Sequence, residues 1–434
     1  MEWRRVSVAA LSLSLVVMVA CGGNDEGGGG GGSETGGGGG EPVTLDFWVF
    51  EEGLFGYLDT LEKGFEETYP KVDLVITTYP EDNYGVKLDT AIAAGKEPDL
   101  VLVWGPDQAR AGLLLPLDDM IAEKGIDLST YVPSIVQPGD EFSCAYEDHL
   151  YCLGSYAGSV QMLYNKDLFD AAGIPYPATY PPMTPEQMVD VACQLTDEAN
   201  GVWGAAVSDP LAYLPWEMFF SPDGKTAEGY VNGPDVVHQF EVLASAYERG
   251  CIPSSNILDP WQQGRDFFAK GKLGMVITDF QGLPKIEDAG INYGSTASPT
   301  PTGLEPYFFV WTDGVGVMAS SDSPDEALDF VGYLTTEGQY MRQEINDDIP
   351  LDLAVAEEVD WAGDIPGRQD GLEVLSHARS AIWIPNRWDV IGPYYDAWGY
   401  VVGGDKTAQE ALDEAAPAIQ ENLDKAWEVW NSQG

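Results

Sequence analysis

The 434-residue chain is poor in positive charge and in histidine. It has 21 Lys and Arg against 71 Asp and Glu, a formal net charge of −50 at pH 7, and only three His. A polyanion needs a basic surface, so this balance argues against nucleic-acid binding. His149, His238 and His377 are isolated, with no HExxH arrangement, and the five Cys lack metal-ligand spacing. We therefore predict neither a metal nor a cofactor.

Signatures of covalent catalysis are also missing. No G-x-S-x-G motif occurs, and the segment 154–158, GSYAG, has its Ser one position early for a nucleophile elbow. Paired carboxylates can hydrolyse glycosides, but among 71 acidic residues such pairs arise by chance. We predict no catalytic residues and keep a secreted glycoside hydrolase as the alternative from another class.

The acidic residues are spread through the chain rather than grouped in blocks. This distribution indicates a solvated acidic surface. A sharper hypothesis is adaptation to saline surroundings, where screening relieves the repulsion between like charges.

That hypothesis gives a first testable prediction. Lowering the salt from about 1 M to about 0.01 M lengthens the Debye screening distance from about 3 Å to about 30 Å. We expect the melting temperature to fall over that range because the 71 acidic groups then repel one another. Thermal scans across a salt series measure this, and a melting temperature indifferent to salt contradicts the hypothesis.

The N-terminus reads as an export signal over residues 1–20. Arg4 and Arg5 give it a positive start, and residues 6–20 are mostly apolar but too short to span a membrane comfortably. The ending Met18-Val19-Ala20-Cys21 resembles a bacterial lipobox, which implies cleavage before Cys21 and a lipid on its sulfur. A plain secretory signal is the alternative, and the choice between Sec and twin-arginine export stays open.

Residues 22–41 are nearly all Gly with a few polar residues. No strand precedes these glycines and no helix follows closely, so they do not form a phosphate-binding loop. They predict a flexible tether spanning on the order of 25 Å, and we assign residues 21–42 to the lipidated Cys and its tether.

The next part alternates strand and helix patterns. Apolar strands are predicted at 43–50, 72–76 and 99–104, with helices between them. This alternation predicts a parallel, doubly wound sheet, whose ligands lie beyond the carboxyl ends of the strands. Those ends are at residues 50–52 and 104–107.

The segment 154–175, GSYAGSVQMLYNKDLFDAAGIP, combines a short apolar strand with a helix that ends near Gly173 and Pro175. It resembles the extracellular solute-binding proteins of ABC importers, in the carbohydrate-binding branch that includes maltodextrin-binding proteins. The motifs AIAAGKEPDLVLVW (91–104) and FFAKGKLGMVITDF (267–280) and the ending at 403–427 fit the same pattern. The resemblance covers roughly residues 43–427.

This resemblance implies an α/β, two-lobe periplasmic-binding-protein-like fold. Each lobe would be a mostly parallel sheet flanked by helices, and three crossings would form the hinge: the strand 160–164, residues 308–319 and residues 349–355. The implied lobes are 43–154 plus 312–350, and 155–311 plus 351–434.

The same resemblance implies a function. The chain would be a monomeric lipoprotein on the outer face of the bacterial cell membrane. It would capture a mono- or oligosaccharide in the cleft between its lobes by hinge closure and deliver it to the permease subunits of an ABC transporter. A polyamine or a sugar phosphate as the ligand of the same fold stays open as an alternative.

A sugar ring has apolar C–H faces and a rim of hydroxyls, so aromatic rings and carboxylates are the side chains expected around it. The candidate stacking residues are Trp104, Tyr156, Trp311, Trp383 and Trp388. The candidate hydroxyl acceptors are Glu51, Glu52, Asp107, Asp279 and Asp313.

Four Cys remain besides Cys21, and an exported chain permits disulfides. Four Cys allow three pairings. Cys144 and Cys152 lie on the two arms of a predicted hairpin at 140–153, so we favour a bond between them; Cys193 and Cys251 would then pair. Free buried thiols are the alternative.

Overall fold

The computed structural model describes residues 42–50, 57–103, 106–138, 143–206, 216–253, 260–306, 310–378 and 382–432. The side chains at 81, 82, 216, 260–263, 281 and 388 are not described. The predicted export signal and the tether up to residue 41 therefore lie outside the described residues, as do Glu51, Glu52 and Trp104.

The strands in chain order are β1 Val43–Phe50, β2 Val72–Tyr79, β3 Leu100–Val103, β4 Ala145–Tyr146, β5 His149–Leu150, β6 Gly158–Asn165, β7 Trp203–Ala206, β8 Leu273–Asp279, β9 Tyr293–Thr296, β10 Val310–Trp311 and β11 Gly314–Val317.

The α-helices are α1 Leu58–Thr68, α2 Glu81–Ala94, α3 Asp107–Arg110, α4 Asp118–Lys124, α5 Pro133–Val136, α6 Lys166–Ala172, α7 Pro185–Leu195, α8 Pro234–Glu248, α9 Pro260–Ala269, α10 Leu283–Asp288, α11 Pro324–Thr335, α12 Glu337–Asn346, α13 Leu353–Glu358, α14 Pro366–Ser376, α15 Arg387–Val390, α16 Gly392–Val402 and α17 Ala408–Ser432. No described helix is both long enough and apolar enough to cross a bilayer.

The first sheet has the order β11-β3-β1-β2. The pairs β1–β2 and β1–β3 are parallel, and β11 runs antiparallel at the edge. Every residue of β3 is buried because helices cover the sheet, which explains its uninterrupted apolar sequence LVLV. The parallel sheet predicted for the first lobe is confirmed.

The second sheet has the order β10-β6-β8-β7, with β9 also pairing with β6. Here the prediction of a mostly parallel sheet is wrong. Strand β6 pairs antiparallel with β8, β9 and β10, and of the described pairings only β7–β8 is parallel. A parallel pair needs a crossover connection. Helices α8 and α9 supply one between β7 and β8, whereas β6 enters directly from the first lobe.

Three crossings join the lobes. In the first, Leu153 bridges to Val315 of the first sheet, and a few residues later Gly158 pairs with Trp311 of the second. The second crossing is the step from β10 to β11. In the third, the amide of Ala157 donates to the carbonyl of Ile349 at 2.8 Å, after which the chain leads to α14, packed against β9. The two-lobe α/β fold and its three crossings are confirmed, and the residue at which each lobe begins stays a prediction.

Two disulfides are present. Cys144 is bonded to Cys152, close to the β4–β5 hairpin, and Cys193 of α7 is bonded to Cys251, after α8. Both predicted pairings are confirmed.

Candidate ligand-binding site

The carboxyl edge of the first sheet is held by Tyr84. Its hydroxyl lies 3.2 Å from the carbonyl oxygen of Trp48 and 3.0 Å from that of Leu102, and it accepts a hydrogen bond from the Leu102 amide. The ends of β1 and β3 are thereby tied together. The short helix α3 starts just beyond β3.

Asp107 is the first residue of α3, and solvent reaches its side chain. The surrounding protein nevertheless displaces enough water to raise the pKa of its carboxyl, and the charge of Arg110 offsets part of that rise. A carboxylate in this position can accept hydrogen bonds from a hydroxylated ligand. Its role as an acceptor stays a prediction.

Asp279 ends β8 at the edge of the second sheet. Its carboxylate accepts hydrogen bonds from Arg265, at 2.5 Å, and from the amide of Gly282, at 3.1 Å. Asp279 is therefore a fixed, charge-compensated acceptor. Sequence reasoning missed Arg265, because nothing in the spacing of α9 and β8 shows that the two side chains meet.

Tyr156 and Asp313 lie together in the first two crossings. The Tyr156 hydroxyl donates to Oδ2 of Asp313 at 3.1 Å, and the guanidinium of Arg342 lies 3.6 Å from the centre of the Tyr156 ring. These side chains are only 3%, 7% and 1% exposed, respectively. Burial, and then the charge of Asp313, raise the pKa of Tyr156 well above its ordinary value.

Arg342 was missed by sequence reasoning. Its Nε donates to Asp348 at 2.8 Å, and its Nη2 lies 3.9 Å from Asp313. Tyr156 and Asp313 thus have structural partners in the hinge. Ligand contact by either residue stays a prediction.

Trp311 is half-buried and covers Gly158 in the neighbouring strand. A Cβ atom at position 158 would lie 2.2 Å from the Trp311 ring, so only Gly allows this close approach. A larger residue at 158 would displace the ring from the hinge.

Trp383 is half-buried and joins two aromatic residues of α17. Its ring centre is 4.2 Å from that of Trp430 and 5.6 Å from that of Trp427. Both partners were missed, although their spacing of three residues would have placed them on one helical face. Trp388 lies in α15, and its side chain is not described.

The predicted residues thus form separate groups: Asp107 on the first lobe, Tyr156 with Asp313 and Trp311 at the hinge, Asp279 at the end of β8, and Trp383 beside α17. Among the residues the structure describes, no three His, Cys, Asp or Glu side chains are placed to hold a metal ion.

Comparison with known families decides the class of protein. The family model of the bacterial extracellular solute-binding proteins matches residues 51–341, well over half of the chain. The chain belongs to this family.

Two solved structures have the same fold as this solute-binding protein. The sugar-binding protein MalE from Xanthomonas citri has a TM-score of 0.76 at 18% identity, with 90% of this chain and 100% of that chain covered. An ABC substrate-binding protein from Listeria monocytogenes, in complex with cycloalternan, has a TM-score of 0.70 at 22% identity, with 88% and 100% covered.

A curated relative is the maltotriose-binding protein of Pyrococcus abyssi. It is 24% identical to this solute-binding protein over 290 residues, which is 63% of this chain and 58% of that one.

Proposed function

We propose that this solute-binding protein captures a neutral saccharide between its two lobes and carries it to an ABC permease without altering it. The observation that carries the proposal is the hinge. Three crossings lie side by side, tied by the Leu153–Val315 and Gly158–Trp311 pairings and by the Ala157–Ile349 hydrogen bond. Two lobes connected through such crossings can swing together around a ligand.

The chemistry of the candidate residues supports a saccharide. Half-buried tryptophans offer flat apolar faces for sugar rings, and Asp107 offers an exposed carboxylate for hydroxyls. The ligands named for the relatives, maltotriose and cycloalternan, are oligosaccharides. We also propose that the mature protein is a monomer, anchored through a lipid on Cys21 to the outer face of the cell membrane.

The test is calorimetric titration of the purified chain with mono-, di- and oligosaccharides, followed by chromatography of the same mixtures. Saturable binding with the sugar recovered intact supports the proposal. Release of shorter sugars would replace it with a glycoside hydrolase. Binding of a polyamine or a sugar phosphate but of no neutral sugar would keep the fold and change the ligand.

A second prediction concerns Asp107. Asp107→Asn should weaken sugar binding roughly ten-fold, because a carboxylate accepts hydrogen bonds more strongly than an amide, while the melting temperature should stay unchanged. In the parent protein, affinity should also fall as the pH drops through the raised pKa of Asp107, because protonation removes the charged acceptor. The Asn variant should lack this loss.

Asp89→Asn is the matched control, since Asp89 is an exposed carboxylate on α2 of the same lobe. It should bind like the parent protein at every pH. If both variants behave alike in calorimetry, Asp107 is not part of the site.

A further inference from the structure

The end of α17 makes a contact with α3. Nη1 of Arg110 donates a hydrogen bond to the backbone carbonyl of Trp430, and the guanidinium carbon lies 3.8 Å from the centre of the Trp430 ring. The two residues are 320 positions apart in the chain. Arg110 therefore contacts both the backbone and the ring of Trp430.

Arg110 is fixed to the first lobe. Helix α3 follows β3 in the chain, and Ala109 beside Arg110 is buried. The segment just after α3 is hydrogen-bonded to the β11 region, through Leu115 to Val317 at 2.9 Å and Ala319 to Leu113 at 2.8 Å. Arg110 therefore moves with the first lobe.

Trp430 is fixed to the second lobe. Helix α17 packs on α8 and α16. Its buried residues belong to the same hydrophobic core as Met162 of β6 and Met275 of β8 in the second sheet. The Trp430 ring rests on Trp383, which contacts Trp427; the indole N–H of Trp427 in turn donates to the carbonyl of Gly224 at 2.7 Å. These contacts fix the Trp430 ring within the second lobe without any contribution from Arg110.

Neither Arg110 nor Trp430 lies in a crossing, so their contact joins the lobes outside the hinge, just beyond the carboxyl end of β3, where ligands of such sheets lie. We propose that Arg110 and Trp430 form an interlobe clasp that raises the population of the closed form and so tightens ligand binding. The inference rests on the proposed function, because it assumes that closure traps the ligand. Arg110 and Trp430 act on the ligand through lobe position and are positioning residues.

The clasp depends on the planar guanidinium, which can stack on the indole while one N–H reaches the carbonyl. Arg110→Lys keeps the charge but loses this geometry, so its effect should lie between those of the parent protein and Arg110→Ala. Arg110 and Trp430 are both half-buried, and a cation–π contact between the exposed and the desolvated case corresponds to roughly a ten-fold change in an equilibrium constant. We expect Arg110→Ala to weaken ligand binding by about that factor, with little change in melting temperature.

The matched control is Lys225→Ala. Lys225 lies 5.2 Å from the centre of the Trp427 ring, so it makes the same type of contact to the same aromatic stack, but within the second lobe. The experiment compares the parent protein, Arg110→Ala, Arg110→Lys, Trp430→Leu and Lys225→Ala. Small-angle X-ray scattering without ligand gives the radius of gyration, and calorimetry gives the affinity for a sugar that the parent protein binds.

Arg110→Ala and Trp430→Leu should each increase the ligand-free radius of gyration, with no further increase when combined, and Lys225→Ala should not change it. Unchanged scattering for Arg110→Ala overturns the clasp, and so does unchanged affinity despite altered scattering. If the parent protein binds no sugar but Arg110→Ala still opens the molecule, the proposed function fails and the clasp stands.

Discussion

Replacing Arg342 with Met should lower the free energy of unfolding by about 3–5 kcal/mol. The guanidinium is 1% exposed and sits between the carboxylates of Asp348 and Asp313, with the Tyr156 ring on one face. Met keeps most of the side-chain volume but removes the positive charge. The buried carboxylate of Asp313 and the half-buried carboxylate of Asp348 would then lose their compensating charge.

Denaturant unfolding of the parent protein and the variant measures this loss. Arg249→Met is the matched control, because the Arg249–Asp190 pair is similar in length, at 3.1 Å, but exposed. Exposed pairs contribute about 0–1 kcal/mol, so the control should unfold near the parent midpoint. Similar midpoints for both variants would mean that the hinge does not depend on Arg342.

The reason for so large an effect lies in the third crossing. Asp348 pairs with Arg342 of α12, while its neighbour Asp347 pairs with Arg368 of α14. Arg368 also binds both oxygens of Glu287 in α10, at 2.9 and 2.8 Å. Two adjacent acids thus fasten this crossing to a helix before it and to a helix after it. The crossing is thus held by ion pairs on both sides.

Local features were predictable from sequence because they depend on neighbouring residues. The apolar run 43–50 forms β1 as expected. Thr184 caps α7 by accepting from the amide of Gln187, with Pro185 in the first turn, and a Thr-Pro pair is a typical sequence signal for the start of a helix. The Cys144–Cys152 bond joins residues only eight positions apart, close to the hairpin. In each case the signal and the structure lie within one short segment.

Long-range pairings were not predictable, because the periodicity of apolar residues indicates which side chains are buried but not which residues they contact. Tyr156 and Asp313 are 157 positions apart, and nothing in their spacing indicates the hydrogen bond between them; their contact with a ligand stays a prediction. The predicted strand direction in the second sheet was wrong for a related reason. An apolar strand such as β6 has the same pattern whether its neighbours run parallel or antiparallel.

Removing the Cys193–Cys251 bond should cost about 4 kcal/mol of stability, against about 2.5 kcal/mol for Cys144–Cys152, if chain entropy dominates. The bonds close loops of very different size, since their Cys are 58 and 8 positions apart. The larger loop restricts the unfolded chain more. The comparison is well matched, because Cys144, Cys152 and Cys251 are buried and Cys193 is half-buried. Paired Cys→Ala variants, one pair for each bond, measured by denaturant unfolding give the two losses. Equal losses, or a larger loss for the short loop, would show that local packing outweighs the entropy of the unfolded chain.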